Sequence, residues 1–213
     1  MFFKRTVLSL LLVTFSLLCR AQDDYQINVR VTSNNAYISS IHFKTMGLTI
    51  YIDPLGRVLQ GYDGRIDERF DAVDDDGRDT RFASLTGPNV EYYDNFDSDE
   101  LKGKVKSISG LTITYYDRFD RDELLGRIKS IGSLRFTYYD RFNYDELLGK
   151  IKSIGDTQIT YYDHFGYDEL IGKLKSIGNT QITYYDRFDS GNNTGRVKAI
   201  NGTSANVIWH RRI

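Results

Sequence analysis

A chain of 213 residues with 16 Tyr, 12 Phe, two Pro and a formal charge of -1 has room for one domain or one repeat array. Its aromatic enrichment, together with Thr and Ile, points to strands and interfaces and away from a helical bundle. The near-neutral balance gives no electrostatic case for nucleic acid as a partner.

Residues 1–21 read as a signal peptide. Lys4 and Arg5 form a basic start, Thr6 to Leu18 an apolar stretch, and Cys19-Arg20-Ala21 a small-residue cleavage signal before Gln22. The apolar stretch is short for a membrane span. Leu18 is too bulky for the lipobox that a lipid-anchored Cys19 would need. Cleavage after Ala21 predicts an exported bacterial protein, periplasmic, secreted or at the cell surface, with no transmembrane segment in the mature chain. That chain holds 25 basic against 29 acidic residues and no cysteine. Disulfides are therefore excluded, and packing, calcium or assembly must supply the stability.

Residues 22–88 read as an N-terminal β region. Tyr25, Ile27, Val29 and Val31 alternate with polar neighbours, as a half-buried strand does. Asn34-Asn35 marks a turn, and Tyr37 to Phe43 forms a second β-prone run. Leu48 to Asp53, Pro54-Leu55 and Gly56 to Leu59 form a short-looped, degenerate version of a unit repeated later. Asp71, Asp74, Asp75, Asp76 and Asp79 then crowd around Gly77 among arginines, which reads as a solvated, irregular acidic loop.

Residues 89–202 repeat with a period of 23. Tyr92, Tyr115, Tyr138, Tyr161 and Tyr184 each open a Tyr-Tyr-Asp, and Gly103, Gly126, Gly149, Gly172 and Gly195 each restart the phrase. A fixed period marks stacked supersecondary units that need their neighbours. Leu111 to Asp117 supplies one strand, with Leu111, Ile113 and Tyr115 facing one way and Thr112, Thr114 and Tyr116 the other. Gly126 to Ile131 supplies the next. Ile128 and Ile131 are three positions apart, which requires a bulge. Gly132 and the residue after it make the tight return. The predicted fold is all-β, an antiparallel meander of repeated β-hairpins forming an extended or coiled sheet.

Two basic rows recur, Lys104/Arg127/Lys150/Lys173/Arg196 and Lys106/Lys129/Lys152/Lys175/Lys198. A meander separates like charges by a Thr-rich strand, so both rows are expected on one solvated face. Between the strands, Phe96, Phe119, Phe142, Phe165 and Phe188, with the Leu pairs that follow, are expected to fold over the sheet as a lid. The last unit lacks Asp-Glu-Leu-Leu. Residues 203–213, with Val207, Ile208 and Trp209, are expected to cap the array's final edge.

Tyr51-Ile52-Asp53-Pro54-Leu55-Gly56-Arg57-Val58 resembles the tyrosine-aspartate repeat of the YD/RHS family. So do Tyr116-Asp117 with Gly126-Arg127-Ile128, and Tyr139-Asp140 with Gly149-Lys150-Ile151, although their intervening loops are longer and Ile52 replaces a tyrosine. The resemblance spans residues 47–202. It implies stacked hairpins in an extracytoplasmic setting; family members build spiralling β-strips around cargo or in surface assemblies, and this chain is too small for a shell.

No catalytic constellation stands out, so the chain is read as a non-enzyme. His42, His164 and His210 lie in unrelated contexts without zinc spacing. Calcium is the cofactor the loops suggest: Asp117, Asp120, Asp122 and Glu123 offer hard oxygen ligands, as do Asp140, Asp145 and Glu146, and Asp163, Asp168 and Glu169. Tyr116, Tyr139, Tyr162 and Tyr185 form a regular ladder that could face a protein or glycan. The expected role is a structural or binding repeat protein outside the cytoplasm. The alternatives are a calcium-stabilised adhesion module and a secreted enzyme or inhibitor with its site near residues 71–81.

Overall fold

The structure, a computed structural model, describes residues 24–45, 48–59, 90–189 and 191–211. The signal-peptide reading of residues 1–21 and the acidic loop at 61–81 lie outside the described residues. The chain is all-β and is built as two sheets packed face to face over a shared hydrophobic core.

The repeat array forms one open ten-stranded antiparallel meander. Its strands are β5 (Val90–Tyr92), β6 (Val105–Ile108), β7 (Leu111–Tyr115), β8 (Ile128–Ile131) and β9 (Leu134–Tyr138). They continue as β10 (Ile151–Ile154), β11 (Thr157–Tyr161), β12 (Leu174–Ile177), β13 (Thr180–Tyr184) and β14 (Val197–Asn201). The expected bulge is present. Tyr115 pairs with Ile128 and Thr114 with Ser130, so Lys129 is the extra residue. It turns Ile128 and Ile131 to the same face, both fully buried. The same shift recurs between β5 and β6, β9 and β10, β11 and β12, and β13 and β14. Two-residue returns join the units: Gly132 has φ +55° and leads into Ser133, the positive first position of a type II′ turn.

The second sheet has the order β15-β1-β2-β3-β4, with β1 at Asp24–Val31, β2 at Ala36–Thr45, β3 at Leu48–Ile52, β4 at Val58–Leu59 and β15 at Val207–Arg211. Tyr25, Ile27, Val29 and Val31 are buried, as their alternation predicts. A bulge in the β1–β2 pairing near Ser40 switches phase in β2, so Ala36, Ile38, Ile41 and Phe43 all face the core. The Asp53–Arg57 turn repeats the array's turn chemistry, because Asp53 Oδ1 accepts from the Leu55 and Arg57 amides. Its strands nevertheless belong to this covering sheet and not to the array.

The C-terminal strand departs from expectation. β15 pairs parallel with β1, Val29 opposite Trp209, and so extends the covering sheet instead of capping β14. The crossing is held at Ser204, whose hydroxyl donates to the Ile177 carbonyl at 2.8 Å. Trp209 packs against the core. The strand finds β1 because β1 has one paired side and one open side, and an open strand edge is a pairing template.

The covering sheet docks through its side chains and through two turns. The Tyr25 hydroxyl donates to the Ile154 carbonyl at 2.9 Å. The Gly56 carbonyl accepts from the Ile128 amide at 3.0 Å, and the Ser33 carbonyl accepts from the Val197 amide at 3.1 Å. Gly56 has φ +74°, and a β-carbon there would overlap the Tyr138 hydroxyl. Gly56→Ala should therefore lower stability by about 1–3 kcal/mol. Urea unfolding of the variant checks this; an unchanged midpoint would mean that the turn does not press on Tyr138.

Candidate functional site

The Asp-Glu loops sit along one edge of the array, and most of their carboxylates have separate tasks. The first Asp of a unit closes its own turn: Asp117 Oδ1 accepts from the Phe119 amide at 2.9 Å, as Asp140 does from Phe142 and Asp163 from Phe165. Asp120 Oδ2 accepts from the Asp117 amide at 3.1 Å and Asp120 also pairs with Lys129 Nζ at 2.8 Å. That partnership holds its carboxyl below the usual range against the opposing effect of burial. Glu123 reaches into the following unit, where Oε1 accepts from the Arg141 amide at 3.0 Å. Glu100, Glu146 and Glu169 do the same for Arg118, His164 and Arg187.

Asp122, Asp145 and Asp168 begin single turns of 3-10 helix and stay exposed. Among the described residues, no group of three or more His, Cys, Asp or Glu side chains converges as a metal cluster. The loop carboxylates considered for calcium thus point to separate places: turn closure, lysine pairing and the next unit's amide, with Asp122, Asp145 and Asp168 left exposed. Unfolding curves in chelator and in millimolar calcium should superimpose, and a large calcium-dependent rise would overturn this assignment of the loops.

The tyrosine ladder is integral to the sheet. The Tyr116 hydroxyl donates to the Phe136 carbonyl at 3.0 Å, with Tyr139 to Ile159 and Tyr162 to Ile182 at 3.1 Å. Each ring meets the first tyrosine of the following unit edge to face: Tyr116 with Tyr138 at 5.8 Å, Tyr139 with Tyr161 at 5.9 Å and Tyr162 with Tyr184 at 5.8 Å. Lys129 lies over Tyr116, Lys152 over Tyr139, Lys175 over Tyr162 and Lys198 over Tyr185. Burial pushes the phenols of Tyr116, Tyr139 and Tyr162 above their ordinary range, so they remain hydrogen-bond donors. The ladder is a set of half-buried joints, and only Tyr185, in the last unit, has no following unit to grip.

The two basic rows divide. Lys129 and its equivalents stay with the Thr face, where Thr114 and Ser130 hydroxyls pair at 2.7 Å. Arg127, Lys150 and Lys173 instead lie over Tyr138, Tyr161 and Tyr184, the tyrosines facing the covering sheet. They precede their strands, in the turn that begins at a glycine of positive φ, and so do not follow the strand's alternation.

The exposed aromatic row is the phenylalanines. Leu101, Leu124, Leu147 and Leu170 enter the interior, but Phe96, Phe119, Phe142, Phe165 and Phe188 are 74–98% exposed. The expected lid is therefore leucine alone. The Phe amide is bound by the preceding Asp, and that turn directs its ring outward. Neighbouring units connect along the row: Arg121 lies 4.8 Å over Phe142, Tyr144 meets Phe165 at 5.6 Å and Tyr167 meets Phe188 at 5.5 Å. A groove of about 700 Å³ runs beside Phe119, with Tyr116, Asp120, Arg121, Asp140 and Lys152 on its walls.

The histidines also differ from expectation. The parallel β1–β15 pairing brings His210 beside Asn28, Nε2 to Oδ1 at 2.9 Å. His42 contacts the Ser40 hydroxyl at 3.0 Å on the same sheet, and burial, Lys44 and His210 lower its pKa. No sequence spacing relates residues 182 positions apart. No protein-family profile, curated protein or solved structure matches the chain.

The inter-unit glutamates carry a pH signature. Glu100, Glu123 and Glu146 all have carboxyls lowered mainly by backbone hydrogen bonds, including those from the next unit's amide. Their unfolded forms bind protons first, so stability is present above the ordinary glutamate range and is lost as pH falls through the lower folded values. Urea midpoints should drop between about pH 5 and about pH 3. The triple variant Glu100→Gln, Glu123→Gln, Glu146→Gln should flatten that slope.

Proposed function

We propose that the chain is a non-catalytic, exported binding protein whose repeat sheet presents the phenylalanine row to an extracellular polymer, a glycan in preference to a protein. The carrying observation is the row itself: five equivalent rings at turn tips, 74–98% exposed, where no other large apolar side chain among the described residues exceeds 49%. Contiguous exposed apolar surface on a folded protein marks an interaction site. Successive rings belong to hairpins two strands apart, so the row repeats about every 10 Å. An extended sugar chain offers stacking faces at a comparable interval. The groove beside Phe119 adds carboxylate, amine and hydroxyl groups suited to sugar hydroxyls.

Charge supports the preference. The first Asp of the loop recurs in all five units, from Asp94 to Asp186, and the Asp-Glu pair of Asp99-Glu100 recurs in the next three; Arg118, Arg121, Arg141 and Arg187 offset these carboxylates only in part. An acidic edge disfavours anionic membranes and nucleic acid while leaving neutral glycans unopposed. The basic and apolar leader at residues 1–21 and the tyrosine-aspartate signature agree with an extracytoplasmic site of action. Among the described residues, no helix is long and apolar enough to cross a membrane.

The test is a neutral-glycan array together with affinity electrophoresis through neutral polysaccharides. The wild-type chain should be retained. The variant with Phe119, Phe142, Phe165 and Phe188 all changed to Ser should fold with a midpoint near the wild type and bind at least tenfold more weakly. No retention of the wild type, or equal retention of the variant, would sink the proposal.

A further inference from the structure

The covering sheet treats the repeats unequally. Its Pro54–Gly56 turn sits on the unit of Arg127 and Tyr138: Arg127 donates to the Leu55 carbonyl at 2.9 Å, and Gly56 lies against the Tyr138 hydroxyl. Its Ser33–Ala36 turn sits two units further on. There Lys173 donates to the Asn34 carbonyl at 2.9 Å and to Gly195 at 2.8 Å, and the Ala36 amide reaches the Tyr184 hydroxyl. The unit of Lys150 and Tyr161 falls between the two turns. A cavity of about 450 Å³ opens there, walled by both turns, the apolar side chains of Leu148 and Leu174, and the side chains of Arg127 and Glu146.

Lys150 and Tyr161 break the pattern of their equivalents. Arg127, Lys173 and Arg196 each donate to an oxygen. Lys150 makes no hydrogen bond or ion pair among the described residues; it lies 5.1 Å over the Tyr161 ring. The Tyr138 and Tyr184 hydroxyls donate to the Ile128 and Leu174 carbonyls at 3.0 Å. The Tyr161 hydroxyl has no such acceptor among the described residues, and its residue is less buried than Tyr138 or Tyr184. Asn35, also on the wall, has a buried Oδ1 without a hydrogen-bond partner. Two cations, Arg127 and Lys150, oppose one carboxylate, Glu146, whose Oε1 is already bound by the His164 amide and ring.

We infer that this cavity is a binding site for a small organic carboxylate, held by the Lys150 ammonium and the Tyr161 hydroxyl with its body against Leu148 and Leu174. A half-buried amine without a bonded counter-ion favours an anion, and a phenol without an acceptor supplies a directed donor. The volume lies within the range of small-molecule pockets, about 300–1,000 Å³. Burial lowers the Lys150 pKa and raises that of Tyr161. The phenol therefore keeps its proton while the amine loses its charge below the ordinary lysine range. The other titratable groups lining the cavity are the Arg127 guanidinium, Glu146, whose backbone hydrogen bonds hold its carboxyl below the usual range, and the exposed Tyr37, so affinity should fall as pH rises through the lowered lysine value.

Titration with benzoate and with glucuronate, followed by amide chemical shifts and calorimetry, tests the site independently of the phenylalanine row. At least one carboxylate should bind saturably, with shifts centred on Gly149, Lys150 and Gly172, and the neutral benzyl alcohol and glucose should not. Lys150→Met should weaken binding at least tenfold without lowering the unfolding midpoint, because it removes an unpaired charge. Tyr161→Phe should weaken it severalfold, and Lys175→Met, on the opposite face, should leave it unchanged. Failure of both carboxylates to saturate, equal binding of the neutral compounds, or undiminished binding by Lys150→Met and Tyr161→Phe would overturn the inference.

Discussion

Each repeat is completed by the one that follows it. The second tyrosine of a unit donates to a carbonyl 20 residues on, its ring meets the next unit's first tyrosine, and its glutamate accepts the next turn's amide. A neutral hydrogen bond contributes about 1 kcal/mol and an edge-to-face aromatic pair about 0.5–1.5 kcal/mol. Every junction thus carries a stabilisation that no isolated hairpin possesses. This is the energetic form of a repeat protein, in which a unit's own stability is small and the interfaces supply cooperativity. It also fixes the sequence: the tyrosine, the aspartate and the glutamate must keep phase, while Arg118, Arg141, His164 and Arg187 vary at a position where only the amide is used.

What was legible in the sequence is what local geometry dictates. The period of 23 gave the units, the alternation at Leu111 to Tyr116 gave the faces, and the three-residue step from Ile128 to Ile131 demanded the bulge that Lys129 occupies. Gly132 gave the return. Such signals need only the pleat and the sterics of a turn. The tyrosine hydroxyls were illegible because alternation says which side a ring leaves the strand and nothing of the carbonyl waiting in the next unit. Repeated Phe and Leu look alike as apolar anchors. Their fates diverge because the Asp117 carboxylate binds the Phe119 amide and turns that ring outward, whereas the 3-10 turn from Asp122 points Leu124 inward.

The two-sheet architecture was the larger gap. Residues 24–31 announce a strand, but no pattern in them announces a parallel partner at the other end of the chain. Closing that pair holds the covering sheet across the array, whose inward face is buried from β6 to β13. The opposite face keeps Lys and Thr, so only one side of the meander carries a core. Exposed function then belongs to the loop edge, where turn geometry can display an apolar ring without disturbing the packing beneath it.

A repeat array of near-identical units would ordinarily offer near-identical sites. Here the cover removes that equivalence. It reaches the array through two turns, at Ser33–Ala36 and at Pro54–Gly56, and these engage units on either side of a third. Lys150 and Lys173 share sequence context and strand position, yet Lys173 is bound to two carbonyls and Lys150 to none. The difference lies in the sheet packed above them and not in the repeat. A chain that duplicates one hairpin many times can therefore acquire a single distinct pocket without changing the repeat, because a second element touches some copies and skips one. Divergence among the units is unnecessary; a mismatch between the spacing of the cover's turns and the spacing of the hairpins is enough.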